Sequence, residues 1–136
     1  MKKVNILIFE DSSAKAESFR ELLELKLNNE LNLGLKLKVR EDETFIESDL
    51  MTTNFDLILV DDDLGNDLWG DFIIDKIMTE VDSNPDVQNT RFVYYSAGTD
   101  LNKLKEKTRK WGHINHCTYE DLEDAVMKLI ESSLVA

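Results

Sequence analysis

The run Phe55-Asp56-Leu57-Ile58-Leu59-Val60-Asp61-Asp62-Asp63-Leu64-Gly65 decides the fold, because an apolar segment stops abruptly at three consecutive carboxylates. A continuous Leu-Ile-Leu-Val run suits a strand covered on both faces, which places it at the centre of a parallel sheet with helices on either side. Asp61 then stands at that strand's carboxyl end. In open α/β sheets ligands bind in the crevice beyond the carboxyl ends of the strands, so acids there are positioned for chemistry. Acids after a strand also begin ordinary solvated loops, so the stretch needs support from the rest of the chain.

That support comes from both sides. Upstream, Val4 to Phe9 is mostly apolar, reads as a first strand and ends at Glu10-Asp11, repeating the central design in miniature. Ser12 and Ser13 can cap a helix carrying Ala16, Phe19, Leu22, Leu23 and Leu27 at helical spacing, with its end near Asn28-Asn29. Leu35 to Val39 alternates strictly, as a strand with one wet face near a sheet edge should. Thr44 to Met51 reads as a short helix with Phe45, Ile46 and Leu50 inward.

Downstream, Gly65 and Gly70 bracket a loop containing Trp69, and Ile73, Ile74, Ile77, Met78 and Val81 mark an amphipathic helix. Asp82 to Asn89, with the only proline, Pro85, reads as a connection. Arg91 to Ser96 is a fourth strand, in which alternation puts one of Tyr94 and Tyr95 in the core and one outside. Leu101, Leu104, Thr108 and Trp111 suggest a helix stopped by Gly112, and His113 to Cys117 a last short strand. Thr118-Tyr119-Glu120-Asp121 resembles a capping box opening a helix with Leu122, Ala125, Val126, Leu129 and Ile130 on one face. Five alternations of strand and helix imply right-handed crossovers and a doubly wound, mainly parallel five-stranded sheet with helices on both faces.

The 136 residues fit one domain, taken as 1–136, against a prior of roughly 100–200 residues each. The excess of 28 Asp+Glu over 16 Lys+Arg gives a formal net charge of -12, which repels nucleic acid and anionic membranes and favours a cation or a basic partner surface. One cysteine, Cys117, excludes an internal disulfide and suits a cytoplasmic, reducing setting. It reads as a small semi-buried hydrophobe rather than a nucleophile. The apolar run after Met1-Lys2-Lys3 contains Asn5 and ends at Glu10, so no secretion signal is expected, and it is far too short to span a bilayer.

With strand order 2-1-3-4-5 the first and third strands are neighbours, so Glu10-Asp11 and Asp61-Asp62-Asp63 meet at the switch point, with Ser96 ending the fourth strand nearby. Gathered carboxylates repel one another unless a cation neutralises them, and hard Mg²⁺ prefers such oxygen ligands. Asp11 and Asp61 are the expected direct ligands, Glu10 acts through water, and the backbone near Asp63 completes the set. Such a metal beside a carboxylate can receive a phosphoryl group, with Asp61 as nucleophile and Ser96 as a hydrogen-bonding partner. Of Asp62 and Asp63, taken otherwise as loop acids, one is placed to influence attacking water.

The order Ile6 to Asp11, then Asp56 to Asp61, then Val93 to Ala97 resembles the receiver (response regulator) domain of two-component signalling, over nearly the whole chain. The resemblance implies a flavodoxin-like fold, a phosphoprotein with Asp61 as phosphoacceptor, Glu10 and Asp11 as the acidic pair, Ser96 as the switch hydroxyl and Mg²⁺ as the metal. It implies a histidine kinase or phosphotransfer protein as donor and a downstream protein as target, with activity limited to self-phosphorylation and slow autodephosphorylation. Two departures stand out. Gly65 takes the place of a proline after Leu64, and Gly70 comes one residue late, which suggests a looser or longer loop. The last strand lacks the family's Lys-Pro: aligning on Gly112 puts His116 at the lysine position, Cys117 at the proline and His113 at the aromatic switch, whereas counting back from Leu122 favours Asn115.

Neutral Asn cannot replace a lysine's charge, and His can only when protonated. A second reading is therefore a pseudo-receiver that binds proteins without phosphorylation. A third is a phosphatase of the haloacid dehalogenase type, whose Asp-x-Asp strand end Asp61-Asp62-Asp63 loosely resembles. That family also needs a later lysine and acidic pair, and the chain after Ser96 offers only scattered lysines such as Lys103 and helix-like acids such as Glu120.

Overall fold

The computed structural model describes residues 2–83 and 90–134. Strands β1 (Lys3–Phe9), β2 (Gly34–Arg40), β3 (Leu57–Asp61), β4 (Arg91–Ser96) and β5 (Ile114–Thr118) alternate with helices α1 (Ser13–Lys26), α2 (Ile46–Thr52), α3 (Gly70–Ser83), α4 (Leu101–Lys107) and α5 (Leu122–Leu134). All strand pairs are parallel, in the order β2-β1-β3-β4-β5. This is the doubly wound α/β sheet that the alternation predicts.

Strand alternation divides the apolar residues between two cores. Ile6, Ile8, Leu57 and Leu59 face α1 and α5, where Phe19, Leu23, Val126 and Ile130 meet them. Leu7, Phe9, Ile58 and Val60 face the other layer, against Ile46, Leu50, Ile73, Ile77 and Leu104. Every residue of β3 is buried, so its unbroken hydrophobicity reflects helices on both sides rather than one. β2, at the edge, buries only Leu37, and the alternating Leu35 and Val39 pack partly buried on the same core. Its last residue, Arg40, makes two hydrogen bonds of 2.8 Å to the buried Asp49, which ties α2 to the sheet edge.

Several local expectations are corrected. Tyr94 and Tyr95 are both buried, one in each core, because β4 is a covered interior strand and has no outside face. Leu22 and Phe45 lie half-exposed, Phe45 against the Arg40 guanidinium. The helix does not end near Asn28-Asn29: after Lys26 it widens into a π-helical turn, Leu27–Leu31, ended by Asn32 in the left-handed conformation. The last strand is displaced by one residue, to Ile114–Thr118, and Thr118 also caps the short 3₁₀ turn that follows by accepting from the Asp121 N–H. α3 continues through Asp82 and Ser83; the connection around Pro85 and the side chain of Val81 lie outside the described residues.

Candidate functional site

Register brings the acids together. Phe9 pairs with Val60, so Glu10 and Asp61 are the next residues on adjacent parallel strands and leave the sheet at the same level. One carboxylate oxygen from each of Glu10, Asp11 and Asp61 lies within 4.8 Å of the other two. Glu10 and Asp61 are buried and Asp11 is exposed, so the cluster has a sheltered floor and an open side. Glu10 is fixed by the Ser12 N–H on Oε2 (3.0 Å) and the Tyr95 hydroxyl on Oε1 (3.1 Å).

A crevice of roughly 340 Å³ opens above these residues, with Asp11, Lys15, Asp61, Asp63, Ser96 and Thr99 in its walls. Burial pushes the Asp61 carboxyl up to about 7, the negative charges of Glu10 and Asp11 push the same way, and Lys15 opposes them. Glu10 is likewise raised, chiefly by burial. Two desolvated carboxylates whose ionisation is disfavoured, with the exposed Asp11 carboxylate beside them, form a donor set that a hard divalent cation fits. Asp63 lines the crevice but stands outside the three-carboxylate cluster, its Oδ1 taken by the Gly65 N–H at 2.9 Å. The Ser96 Oγ accepts from the backbone N–H groups of Gly98 (3.2 Å) and Thr99 (2.8 Å). Both its acceptor positions are thus occupied, which leaves the hydroxyl hydrogen to donate.

The loop after β3 is pinned to itself at its base. Asp63 and Trp69 form an antiparallel bridge, the Gly70 N–H donates to the Asp62 carbonyl at 2.7 Å, and Gly65, Asn66 and Asp67 turn the chain with three successive positive φ angles. Gly65 is also needed for space, since a Cβ there would lie 3.0 Å from Asp11 Oδ2. Trp69 is half-exposed under the Lys107 ammonium, 4.6 Å from its ring centre.

Asp62, read as a loop acid, is wholly buried on the opposite side of the sheet from Asp61. It accepts from Lys107 Nζ at 2.8 Å, from Thr99 Oγ1 at 2.9 Å and from the Tyr94 hydroxyl. Burial alone would raise this carboxyl, but those three hydrogen bonds hold it below the usual range. Strand alternation was the available signal for its direction, because successive residues point to opposite faces. Nothing in the spacing pointed to Lys107 as its partner. Lys15 also went unnoticed, although it falls in the first turn of the helix that follows the first acidic pair.

His116 stands level with Tyr94, two residues before the strand end, and its Nε2 is 2.6 Å from Thr108 Oγ1. Burial, with the charge of Lys105, holds the imidazole below its ordinary pKa, so it is neutral at neutral pH. The β5 residue paired with Ser96 is Thr118; Asn115 pairs with Val93, further from the rim. Cys117 is buried against the α1 and α5 layer, and its thiol is pushed up to about 12 by burial, as befits a packing residue. His113 packs edge-on against Phe92.

No protein-family model and no curated protein sequence matches the chain. Solved structures do. The signal receiver domain of an HD domain-containing protein from Pseudomonas fluorescens Pf-5 matches with a TM-score of 0.70 at 18% identity, covering 99% of this chain and 100% of that one. The Mn²⁺-bound form of response regulator Rcp1 matches with a TM-score of 0.63 at 20% identity, over 96% and 94% of the two chains. The phosphorylated cyanobacterial phytochrome response regulator RcpA matches with a TM-score of 0.64 at 18% identity, over 97% and 94%. With its five parallel strands, their order and these neighbours, the chain has the fold of response-regulator receiver domains.

Proposed function

We propose that this chain is a cytoplasmic receiver, a single domain over residues 1–136, that accepts a phosphoryl group on Asp61 with the help of Mg²⁺ and signals through association with another protein. The observation that carries the reading is the convergence of Glu10, Asp11 and Asp61 within 4.8 Å at the rim of a crevice that also presents Ser96. Mg²⁺ held by Asp11 and Asp61, with Glu10 behind and the backbone near Asp63 beside them, would neutralise charge on the phosphoryl oxygens. An Asp61 carboxylate oxygen attacks phosphorus as the bond from phosphorus to the donor's imidazole nitrogen breaks. The electron pair stays on that nitrogen, and because the donor imidazole carries a proton on its other ring nitrogen, the products are an aspartyl phosphate and a neutral histidine. The Ser96 hydroxyl donates to a phosphoryl oxygen. The donor is a histidine kinase or phosphotransfer protein; nucleic acid and membrane are not partners of so acidic a chain. Among the described residues no helix is long and apolar enough to cross a membrane.

One observation favours the pseudo-receiver as a second reading: Thr118, opposite Ser96 on β5, carries no charge. Incubation with Mg²⁺ and acetyl phosphate followed by mass spectrometry decides between them. A gain of one phosphoryl group in the wild type, absent from Asp61→Asn, is the expected result. Metal binding without labelling would leave the binding module, and turnover of a simple phosphate ester would favour the phosphatase instead.

A further inference from the structure

A phosphoryl group on Asp61 brings nearly two negative charges into a crevice already walled by Asp11 and Asp63. One divalent cation does not balance that total, and β5 ends in Thr118 with the neutral His116 two residues behind. Among the described residues that line the crevice, Lys15 is the cation. The other lysine near the end of β3, Lys107, is held on the opposite side by Asp62 and Trp69.

Lys15 is placed from two directions. Ser12 caps α1 by accepting the Lys15 N–H at 3.2 Å, while the Ser12 N–H is itself bound to Glu10, so the backbone bearing Lys15 is locked to the acidic pair. From the other direction, Tyr119, the residue following β5, donates its hydroxyl to the Lys15 carbonyl oxygen at 3.1 Å. The Lys15 ammonium lies 5.2 Å from the centre of the Tyr119 ring. An aromatic face attracts an ammonium and leaves the donors on its far side for an anion. From this we infer that Lys15 is the cationic phosphoryl ligand of the site: a lysine delivered by α1 and steered by an aromatic ring just past β5. The electrostatic reach is already visible without a phosphoryl group, since the Lys15 charge favours the ionised forms of both Glu10 and Asp61.

This inference rests on the phosphoryl-accepting reading, and its test separates the two. The full chain and its Lys15→Gln, Lys15→Arg and Tyr119→Ala variants are titrated with beryllofluoride at saturating Mg²⁺, and separately with Mg²⁺ alone. Loss of a charged contact to the phosphoryl analogue should weaken beryllofluoride binding of Lys15→Gln by about tenfold or more. The same variant should bind Mg²⁺ somewhat more tightly, because a positive charge beside the acids is gone. Lys15→Arg should retain most of the analogue affinity, and Tyr119→Ala should lose a smaller factor than Lys15→Gln. Opposite movement of the two affinities is something a merely destabilised variant would not show. If the wild type binds beryllofluoride and Lys15→Gln binds it equally well, or if both affinities fall together, the role of Lys15 is overturned while the receiver reading stands. If the wild type binds no beryllofluoride at all, the receiver reading fails and takes this inference with it.

Discussion

Replacing Asp61 with Asn should stabilise the metal-free protein, and the size of the effect should depend on pH. In the folded chain the Asp61 carboxyl is pushed from 3.8 to about 7 by burial and by Glu10. Roughly three pH units at about 1.4 kcal/mol each bound the penalty for ionised Asp61 at about 4 kcal/mol. The crevice is open to water on one side, so about 2 kcal/mol is the working expectation, or about 8 °C in melting temperature for a chain of this size. The sign follows from which state holds the proton. The folded state binds it more tightly than the unfolded state, so wild-type stability falls as pH rises from about 4 to about 7 and the penalty is complete above that. Thermal melts of wild type and Asp61→Asn in EDTA should coincide near about pH 4 and separate by about 8 °C at about pH 8, with the variant higher. Mg²⁺ should raise the wild-type melting temperature, more so at the higher pH because it no longer displaces a proton, and leave the variant nearly unmoved. A variant that melts below wild type at the higher pH, or a difference that does not change with pH, would refute the argument that Asp61 is held in electrostatic frustration for a cation to relieve.

The neighbours Asp62 and Asp63 should behave very differently in urea denaturation. Asp62→Ala strands Lys107 and the Tyr94 hydroxyl and should cost about 3–5 kcal/mol, whereas Asp63→Ala, at an exposed position, should cost about 0.5–1 kcal/mol; equal costs would sink the assignment of Asp62 as a buried hub. At Gly70 an added Cβ would lie 2.3 Å from the Asp61 carbonyl oxygen and 2.7 Å from Tyr94 Cε1, while at Gly98 it would meet nothing within 4 Å. Gly70→Ala should therefore cost about 2–3 kcal/mol and Gly98→Ala almost nothing, and the reverse order would show that the loop can shift to make room.

The fold was legible because β3 is hydrophobic without interruption and β2 alternates, so centre and edge were each written in the residues. The acidic pair and Asp61 were legible for the same reason, since strand order alone delivers them to one rim. Features that depend on which layer covers a side chain were not. Tyr94 and Tyr95 read as one in and one out because alternation describes a strand with one wet face, and β4 has none. Asp62 read as solvated because nothing in its surroundings along the chain announces a lysine from α4. Lys15 escaped because a lysine in a helix's first turn looks like surface until the helix is docked beside the acids. At β5 the two ways of counting disagreed, placing His116 or Asn115 where a lysine was sought, and pairing with β4 brings Thr118 level with Ser96.

The excursion between β3 and α3 leaves and re-enters the sheet through a single neck, where the Gly70 N–H meets the Asp62 carbonyl and Asp63 faces Trp69. The hairpin is pinned at its base and held by Leu64, buried in the core, with Leu68 packed against it, so that its exposed tip stands clear of the body. Its tip, Asn66 and Asp67, can be exchanged for a different turn, or extended by a few residues at small entropic cost, without moving the backbone that aims Asp61 and Asp62. That makes the tip the natural place to graft a fluorophore or a recognition epitope, reporting on the crevice from its doorstep while leaving the carboxylates where the strand puts them.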